Sequence, residues 1–172
     1  MVRALFPGTF DPIHYGHIDI AQRATRLFDE VVMAVYDKPL KSLMFAPEER
    51  MALVRDAFKD NPKIKVTGYS GLTVEFARQI EALVIVRGLR VFSDFEFEFR
   101  MGLANQRLAS DIETVAFITA EQHTFLSSST VKEIASLHGD VSSMVPAVVE
   151  QALKAKVQGM GDGNSPPNAL RD

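Results

Sequence analysis

The chain has 172 residues, with 19 Lys and Arg against 22 Asp and Glu, so its formal net charge is −3, and 47% of its residues are hydrophobic. A chain of this size and composition buries roughly 70% of the surface that it exposes when unfolded, which excludes general disorder and favours one domain. The absence of Cys excludes disulfides, thiolate catalysis and Cys-based zinc sites. The slight acidity disfavours binding to long nucleic acids but permits a small phosphorylated ligand held by a few local cations.

Neither a membrane span nor a secretory signal is expected. Apolar runs such as Val31 to Tyr36 are far shorter than the roughly 20 residues needed to cross a bilayer. Near the start, Pro7 and Asp11 interrupt the stretch that would form the apolar part of a signal peptide. The sequence therefore predicts a protein that has no membrane partner.

Short β-branched runs alternate along the chain with longer runs that carry apolar residues at helical spacing. The predicted strands cover residues 2–6, 30–36, 63–67, 82–86 and 113–119. The predicted helices cover residues 18–28, 47–58, 72–80, 93–108 and 145–157, and another helix is expected after the serines at 127–129. Apolar strands separated by helices predict a doubly wound, Rossmann-like α/β fold: one domain with a five-stranded parallel sheet and helices on both faces.

Residues 94–99 fit two patterns. Acidic residues alternate strictly with Phe in this segment, which favours a strand. Ser93 and Glu96, however, have the spacing of a capping box, and Phe95, Phe99 and Leu103 recur every four residues. We predict a helix here.

The end of the chain differs in composition from the rest. From Gly159 onward, Gly and Pro are frequent and apolar residues at helical spacing are missing. Such a segment is typical of a flexible tail. The predicted organisation is one folded domain over residues 1–158 and a tail over 159–172.

Ligands of doubly wound sheets bind beyond the carboxyl ends of the strands. After the first predicted strand, Gly8 and Gly16 allow close approach of the backbone, and the following helix offers free N–H groups to an anion. His17 at this helix start is expected to donate a hydrogen bond to a phosphoryl oxygen. The alternative is that His14 and His17 are a helix cap and a surface side chain. Two His without a third nearby ligand are a weak zinc signal.

The segment Arg87-Gly88-Leu89-Arg90 directly follows the fourth predicted strand. Its two guanidinium groups suit phosphate recognition, since each offers paired donors. Solvated surface arginines are the alternative interpretation. Lys41, in the polar loop after the second predicted strand, would add a further cation.

Three serines, Ser127-Ser128-Ser129, fall between the fifth predicted strand and a helix. Thr130 and Glu133 have capping-box spacing there. Hydroxyl groups beside free N–H groups at a helix start favour an anion site, whereas the alternative is a linker. The sequence contains no P-loop, dinucleotide fingerprint or G-x-S-x-G elbow, so the corresponding NTPases, dehydrogenases and serine hydrolases are disfavoured.

Together these motifs resemble a known family. His14-Tyr15-Gly16-His17 resembles the H/T-x-G-H motif of the nucleotidyltransferase superfamily. The segments at 6–12, 87–90, 94–96 and 127–133 resemble those of the bacterial phosphopantetheine adenylyltransferases, and the likeness covers about residues 2–157. The resemblance implies transfer of AMP from ATP to 4′-phosphopantetheine, giving dephospho-coenzyme A and pyrophosphate. It also implies Mg²⁺ held mainly through ATP phosphates and water, with no metal ligand from the protein.

The same resemblance implies roles for individual residues. His17, Lys41 and Arg90 would be catalytic, with His17 stabilising the α-phosphate in the transition state. Phosphopantetheine would be held by Thr9, Lys41, Thr73 and Arg87. ATP would be surrounded by Thr9, Phe10, His17, Gly88, Leu89, Arg90, Glu98, His123, Thr124, Phe125, Leu126, Ser127, Ser128 and Ser129.

The family further implies a cytoplasmic homohexamer that coenzyme A inhibits by feedback. Two alternatives remain open. The two His of residues 14–17 also resemble nicotinate mononucleotide adenylyltransferases, although that family usually has Gly-Gly in place of Phe6-Pro7-Gly8. The other alternative is a non-catalytic nucleotide-binding subunit of the same fold.

Overall fold

The structure is a computed structural model that describes residues 1–38 and 43–161. Its five strands are β1 (Arg3–Gly8), β2 (Glu30–Tyr36), β3 (Ile64–Tyr69), β4 (Val84–Leu89) and β5 (Glu113–Ile118). All neighbouring strands are parallel, and their order across the sheet is β3-β2-β1-β4-β5. This confirms the predicted single α/β domain with a Rossmann-like five-stranded sheet.

Six α-helices flank this sheet within the described ranges. They are α1 (Tyr15–Ala24), α2 (Pro47–Ala57), α3 (Thr73–Gln79), α4 (Phe92–Leu108), α5 (Ser128–Ser136) and α6 (Ala147–Gly161). A single 3₁₀ turn, Glu121–His123, precedes α5. None of the helices in the described part of the chain combines the length and apolar character needed to cross a bilayer.

The core has two layers, one on each face of the sheet. Successive strand residues point to opposite faces, so Ala4 and Phe6 of β1 enter one layer and Leu5 enters the other. The first layer also contains buried residues of α1, α2, α5 and α6, and the second contains buried residues of α3. Helix α4 contributes no buried residue. The two layers explain why the strands are apolar on both faces.

The strand order creates a crevice in the middle of the sheet. From β1 the chain proceeds outward to β2 and β3, and then returns to place β4 on the other side of β1. The loops that follow β1 and β4 therefore leave in opposite directions. In doubly wound sheets this switch point is where ligands bind. Here the loop after β1 leads into α1, which carries His17, and the loop after β4 carries Arg90.

Strand β4 is longer at its carboxyl end than predicted. Arg87, Gly88 and Leu89 are paired with the β5 residues 116–118 and lie within the strand rather than in a loop. These three additional strand residues result from pairing with β5, and no local sequence pattern reveals such pairing. Because side chains alternate along a strand, Arg87 and Leu89 point to one face of the sheet and Gly88 to the other.

Two predicted capping boxes are wrong. Helix α4 is confirmed, but it starts after Val91, which makes no side-chain cap, so Ser93 and Glu96 are not a capping box. At α5 the cap is Ser127, whose Oγ accepts the Thr130 N–H at 3.0 Å, not Thr130 itself. Ser93 and Thr130 have the spacing of a capping box, but each lies inside the first turn of its helix, because the helix begins before that residue.

Helices α1 and α6 also differ from the prediction at their ends. Helix α1 begins at Tyr15, three residues before the predicted start, because His14 caps it. Helix α6 runs to Gly161, so residues 159–161 are helical and do not belong to the predicted tail. The remainder of that tail, residues 162–172, lies outside the described residues.

Candidate active site

A cavity of about 350 Å³ opens at the crevice between β1 and β4. Its wall consists of the end of β1 with its loop, the start of α1, the end of β4, two carboxylates of α4 and the serines that begin α5. Ten of the residues with a predicted role line it: Thr9, Phe10, His17, Arg87, Gly88, Arg90, Glu98, Ser127, Ser128 and Ser129. The fold thus brings three separate predicted motifs to one place.

Other residues with a predicted role lie outside this wall. Leu89 faces a second cavity, of about 280 Å³, on the α4 side of the sheet. Thr73 begins α3, and its hydroxyl lies 3.1 Å from that of Tyr69. His123, Thr124, Phe125 and Leu126 form the approach to α5; Phe125 is exposed and Leu126 is buried. Lys41 lies outside the described residues.

His14 and His17 form a reciprocal cap at the start of α1. Nδ1 of His14 accepts the Gly16 N–H at 3.2 Å, and Nδ1 of His17 accepts the His14 N–H at 3.3 Å. In a neutral imidazole, the nitrogen that does not accept carries the proton. The cap therefore assigns the His17 proton to Nε2 and makes this atom a hydrogen-bond donor. His14 is a helix cap, as the alternative interpretation proposed, but His17 is a half-buried part of the cavity wall and not a surface side chain.

The electrostatic surroundings keep both imidazoles neutral. Desolvation lowers the pKa of His17 well below its usual value, and the adjacent His14 lowers it further. The guanidinium groups of Arg90 and Arg87 add to this shift, because another positive charge beside them is unfavourable. Burial, with smaller effects of Arg90 and His123, lowers the pKa of His14 to about 3. At neutral pH, His17 is therefore a neutral donor beside two cations.

Aromatic rings fix the orientation of His17. Its ring stacks on that of His14 with 3.7 Å between centroids and meets the edge of Phe10 at 5.1 Å. Phe10 has a left-handed backbone (φ 48°), unusual for a bulky residue, and its ring lies where a Cβ on Gly8 would stand, 2.7 Å from the phenyl Cζ. Gly8 thus makes room for a ring of this chain, and Gly16 does so for the ring of His14.

The two arginines are each held by a carboxylate of α4. Nε and Nη2 of Arg87 donate to both oxygens of Glu98, at 2.8 and 2.6 Å, and its Nη1 donates to the Pro7 carbonyl. Nε and Nη2 of Arg90 donate to both oxygens of Asp94, at 3.0 and 3.2 Å. Such two-point pairing fixes the plane of a guanidinium group and leaves its other N–H groups available to a ligand.

Arg90 also joins the β4 end of the site to the serine segment. Its Nη1 donates to the Leu126 carbonyl at 2.7 Å, just before the residue that caps α5. Partial burial on its own raises the pKa of Asp94, but the hydrogen bonds from Arg90 outweigh this effect and hold the pKa below its usual value. Asp94 is thus an anion at neutral pH and a permanent partner of Arg90.

Two supporting residues were missed by sequence reasoning. Asp94 lines the cavity and orients Arg90, although its sequence motif indicated only a family resemblance. Arg50 is completely buried and donates from Nη1 to the carbonyls of Thr9, at 2.7 Å, and of Tyr36, at 2.8 Å. An Arg near the start of an amphipathic helix carries no signal of such a role, because its acceptors are backbone atoms of distant segments.

The donor set indicates what the cavity binds. The cavity presents one neutral imidazole, two oriented guanidinium groups, the Ser129 hydroxyl and the free N–H groups of α5. All of these donors favour phosphoryl oxygens. Within residues 1–38 and 43–161, no three His, Asp or Glu side chains are grouped to hold a metal ion. The two cavity carboxylates are both paired with arginines.

Comparisons with known proteins agree with this chemistry. A family model described as cytidylyltransferase-like matches residues 5–134, and the chain belongs to this family of nucleotidyltransferases. Several of its relatives are named phosphopantetheine adenylyltransferase. The one from Roseiflexus sp. (strain RS-1) is 54% identical, and the match covers 90% of this chain and 96% of the relative. The one from Thioalkalivibrio sulfidiphilus is 51% identical, and the match covers 91% of this chain and 98% of the relative. One from Desulfitobacterium hafniense is 48% identical over 89% and 94%. At this similarity and coverage, the chain belongs to the phosphopantetheine adenylyltransferase family.

Proposed function

We propose that this chain transfers the adenylyl group of ATP to 4′-phosphopantetheine, giving dephospho-coenzyme A and pyrophosphate. The observation that carries the proposal is a neutral His17 whose Nδ1 is occupied by the His14 N–H, in a cavity that also presents two oriented arginines and the serines of α5. This set suits a nucleotide phosphate chain. The names of the relatives supply the identity of the acceptor.

The reaction needs charge stabilisation and positioning more than proton transfer. A phosphate oxygen of the acceptor attacks the α-phosphorus of ATP, and the bond from this phosphorus to the bridging oxygen breaks as pyrophosphate leaves. The attacking phosphate is already ionised at neutral pH, so no general base is required. Nε2–H of His17 donates to an α-phosphate oxygen as negative charge develops there, and holding both reactants in line supplies on the order of 7–11 kcal/mol.

The ATP phosphates are proposed to lie between Arg90 and the start of α5. Arg90 is turned toward this space by Asp94, and the first turn of α5 offers N–H groups that no carbonyl accepts. Lys41 is proposed as a further catalytic cation. The remaining proposed ATP contacts are Thr9, Phe10, Gly88, Leu89, Glu98, His123, Thr124, Phe125, Leu126, Ser127, Ser128 and Ser129.

The acceptor is proposed to lie across the α4 side of the sheet. Thr9, Lys41, Thr73 and Arg87 are its proposed contacts. The second cavity supports this placement, because it is lined by apolar side chains such as Phe95, Phe99 and Leu103 and shares Glu98 with the first cavity. An uncharged pantetheine arm suits such a surface.

Mg²⁺ is proposed as the cofactor, held mainly by ATP phosphates and water. Both carboxylates of the cavity, Asp94 and Glu98, are engaged by arginines, and the cavity groups suit phosphates rather than a cation. This donor set fits an ion that arrives with its nucleotide, as Mg²⁺ often does. When bound, the ion would neutralise negative charge on the phosphates of ATP.

We also propose a homohexamer that coenzyme A inhibits. Exposed apolar residues of α4, including Phe92 at 84% exposure, form a surface of the kind that becomes buried between subunits.

Coenzyme A shares the pantetheine and adenylate parts of the product, so it is expected to compete for both cavities. A cytoplasmic location is proposed because the reaction consumes ATP.

One assay tests the proposed reaction against its alternatives. Purified protein receives ATP and Mg²⁺ with either 4′-phosphopantetheine or nicotinate mononucleotide, and pyrophosphate release is followed. We expect turnover with phosphopantetheine alone. Turnover with nicotinate mononucleotide alone would assign the chain to that other reaction, and ATP binding without turnover would assign it to a non-catalytic subunit.

A further inference from the structure

Asp11 is a buried carboxylate that the proposed reaction does not use. Its side chain is almost fully enclosed in the loop between β1 and α1. Oδ1 accepts the Phe45 N–H at 2.9 Å, while Oδ2 accepts the Met44 N–H at 3.1 Å and the ammonium group of Lys132 at 2.6 Å. One carboxylate therefore joins the histidine loop to the segment before α2 and to α5.

A second contact runs beside this ion pair. Ser128 donates from its hydroxyl to the Pro12 carbonyl at 2.8 Å. Ser128 and Lys132 are one helical turn apart on α5, and their partners Pro12 and Asp11 are adjacent in the loop. Two parallel contacts, spaced along the helix, fix both the position and the direction of α5 relative to the loop.

These contacts connect the two walls of the cavity that face the phosphates. The loop leads directly into α1, which carries His17, and α5 begins with Ser128 and Ser129, which line the same cavity. The distance between His17 and the N–H groups of α5 therefore depends on the pair formed by Asp11 and Lys132. In the proposed reaction, the α-phosphate of ATP occupies the space that this distance defines.

Stability alone is a weak reason for such a pair. Burying a carboxylate costs desolvation free energy, and apolar replacements of buried ion pairs are often neutral or stabilising. A salt bridge with good geometry does, however, define a distance more narrowly than apolar packing. Misplacement of reacting groups by about 1 Å can lower a rate on the order of 100-fold.

We propose that Asp11 and Lys132 form a positioning pair, which sets the separation between His17 and the start of α5 and thereby the rate of adenylyl transfer. The inference rests on the proposed function. Neither residue lines the cavity between β1 and β4. Their effect is transmitted through the backbone of the loop and of α5.

The test compares Lys132→Met with a matched control, Lys154→Met, in the full-length chain. Lys154 also pairs with a carboxylate, that of Glu150, but on the exposed surface of α6. We expect Lys132→Met to lower kcat about 10- to 100-fold with the KM for ATP changed less than about threefold. Lys154→Met is expected to leave both constants unchanged.

Two further variants separate positioning from general loss of structure. Lys132→Arg keeps the cation and is expected to recover part of kcat. Asp11→Asn attacks the pair from the other side, and the double variant Asp11→Asn with Lys132→Met should lose far less than the product of the two single losses. Thermal unfolding of every variant is measured in parallel. Wild-type kcat in Lys132→Met, with only a lower unfolding temperature, would reduce the pair to a structural role.

A rise in the KM for ATP at unchanged kcat would also overturn the proposal, because it would show that Lys132 binds the nucleotide directly. Hydrogen exchange gives a readout that does not need turnover. Faster exchange at the amides of residues 44–45 and of the first turn of α5 is expected in Lys132→Met and not in Lys154→Met. If the wild type released no pyrophosphate, the proposed function would fail, while unchanged exchange would by itself reject the positioning pair.

Discussion

The backbone N–H of His14 donates a hydrogen bond to Nδ1 of His17 across 3.3 Å. This bond closes the cap at the start of α1 and at the same time decides which nitrogen of His17 holds its proton. One local contact thus serves the folding of the helix and, in the proposed reaction, the chemistry of the site. A substitution of His17 can therefore test its role without changing the donor of this hydrogen bond, because the donor is the backbone N–H of His14.

Replacement of His17 by Ala is expected to lower kcat by about 10²- to 10³-fold, the typical cost of removing one donor from a transition-state charge. The affinity for ATP should change little, because the contact strengthens only as charge develops. His17→Gln, which offers an amide N–H at a similar distance, should recover part of the rate. Steady-state kinetics and ATP titration distinguish this outcome from unchanged turnover, which would make His17 only a capping residue.

The depressed pKa of His14 makes stability depend on pH. In the unfolded chain this imidazole has a pKa of about 6.5, whereas its folded value is about 3. Between these two pH values, His14 is protonated in the unfolded chain but not in the folded protein. The free energy of unfolding is therefore at its full value above about pH 6.5 and decreases as the pH falls toward 3. The expected loss from His14 is on the order of 1 kcal/mol per pH unit.

Urea unfolding between pH 7.5 and 4.5 measures this dependence. The control is His14→Asn, because Asn is a good helix cap that does not titrate. The free energy of unfolding should fall less steeply with acid in the variant than in the wild type. Identical slopes would show that His14 is protonated in the folded state.

Asp94→Asn is expected to lower kcat/KM for ATP roughly tenfold, equal to about 1.4 kcal/mol. The amide removes one acceptor oxygen and the negative charge, so Arg90 loses its two-point hold and its fixed plane. Glu96→Gln is the control on the same helix, since Glu96 is exposed and only loosely paired with Arg100. Equal kinetics in the two variants would contradict the assigned role of Asp94.

Removal of residues 162–172 is expected to leave turnover and the oligomeric state unchanged. Composition predicts that this segment adds nothing to the core, and α6 has supplied its core residues before Gly161. A shorter chain that ends at Gln151 is the comparison, because it lacks the fully buried Leu153 and should unfold at a lower temperature. Loss of activity or assembly in the first truncation would assign a function to the segment.

Much of the site could be predicted because its parts are local motifs. His17, Arg87, Arg90 and the serines at 127–129 stood out through residue type and position after predicted strands, and all line one cavity. The extension of β4 was not predictable, because residues 87–89 became part of the strand through their pairing with β5. Sequence spacing likewise suggested capping boxes at Ser93 and Thr130, but the approach of the chain decided where each helix starts.

By itself, the sequence determined the α/β class, the parallel sheet and the motifs that follow its strands, because hydrophobic periodicity and turn residues act over a few positions. Only the tertiary structure decided that Glu98 and Asp94 hold the two arginines and that Lys132 pairs with Asp11 across 121 positions of the sequence. It also revealed the tautomer and the low pKa of His17. These properties depend on distances and desolvation between segments that meet only after folding, and no spacing along the chain encodes them.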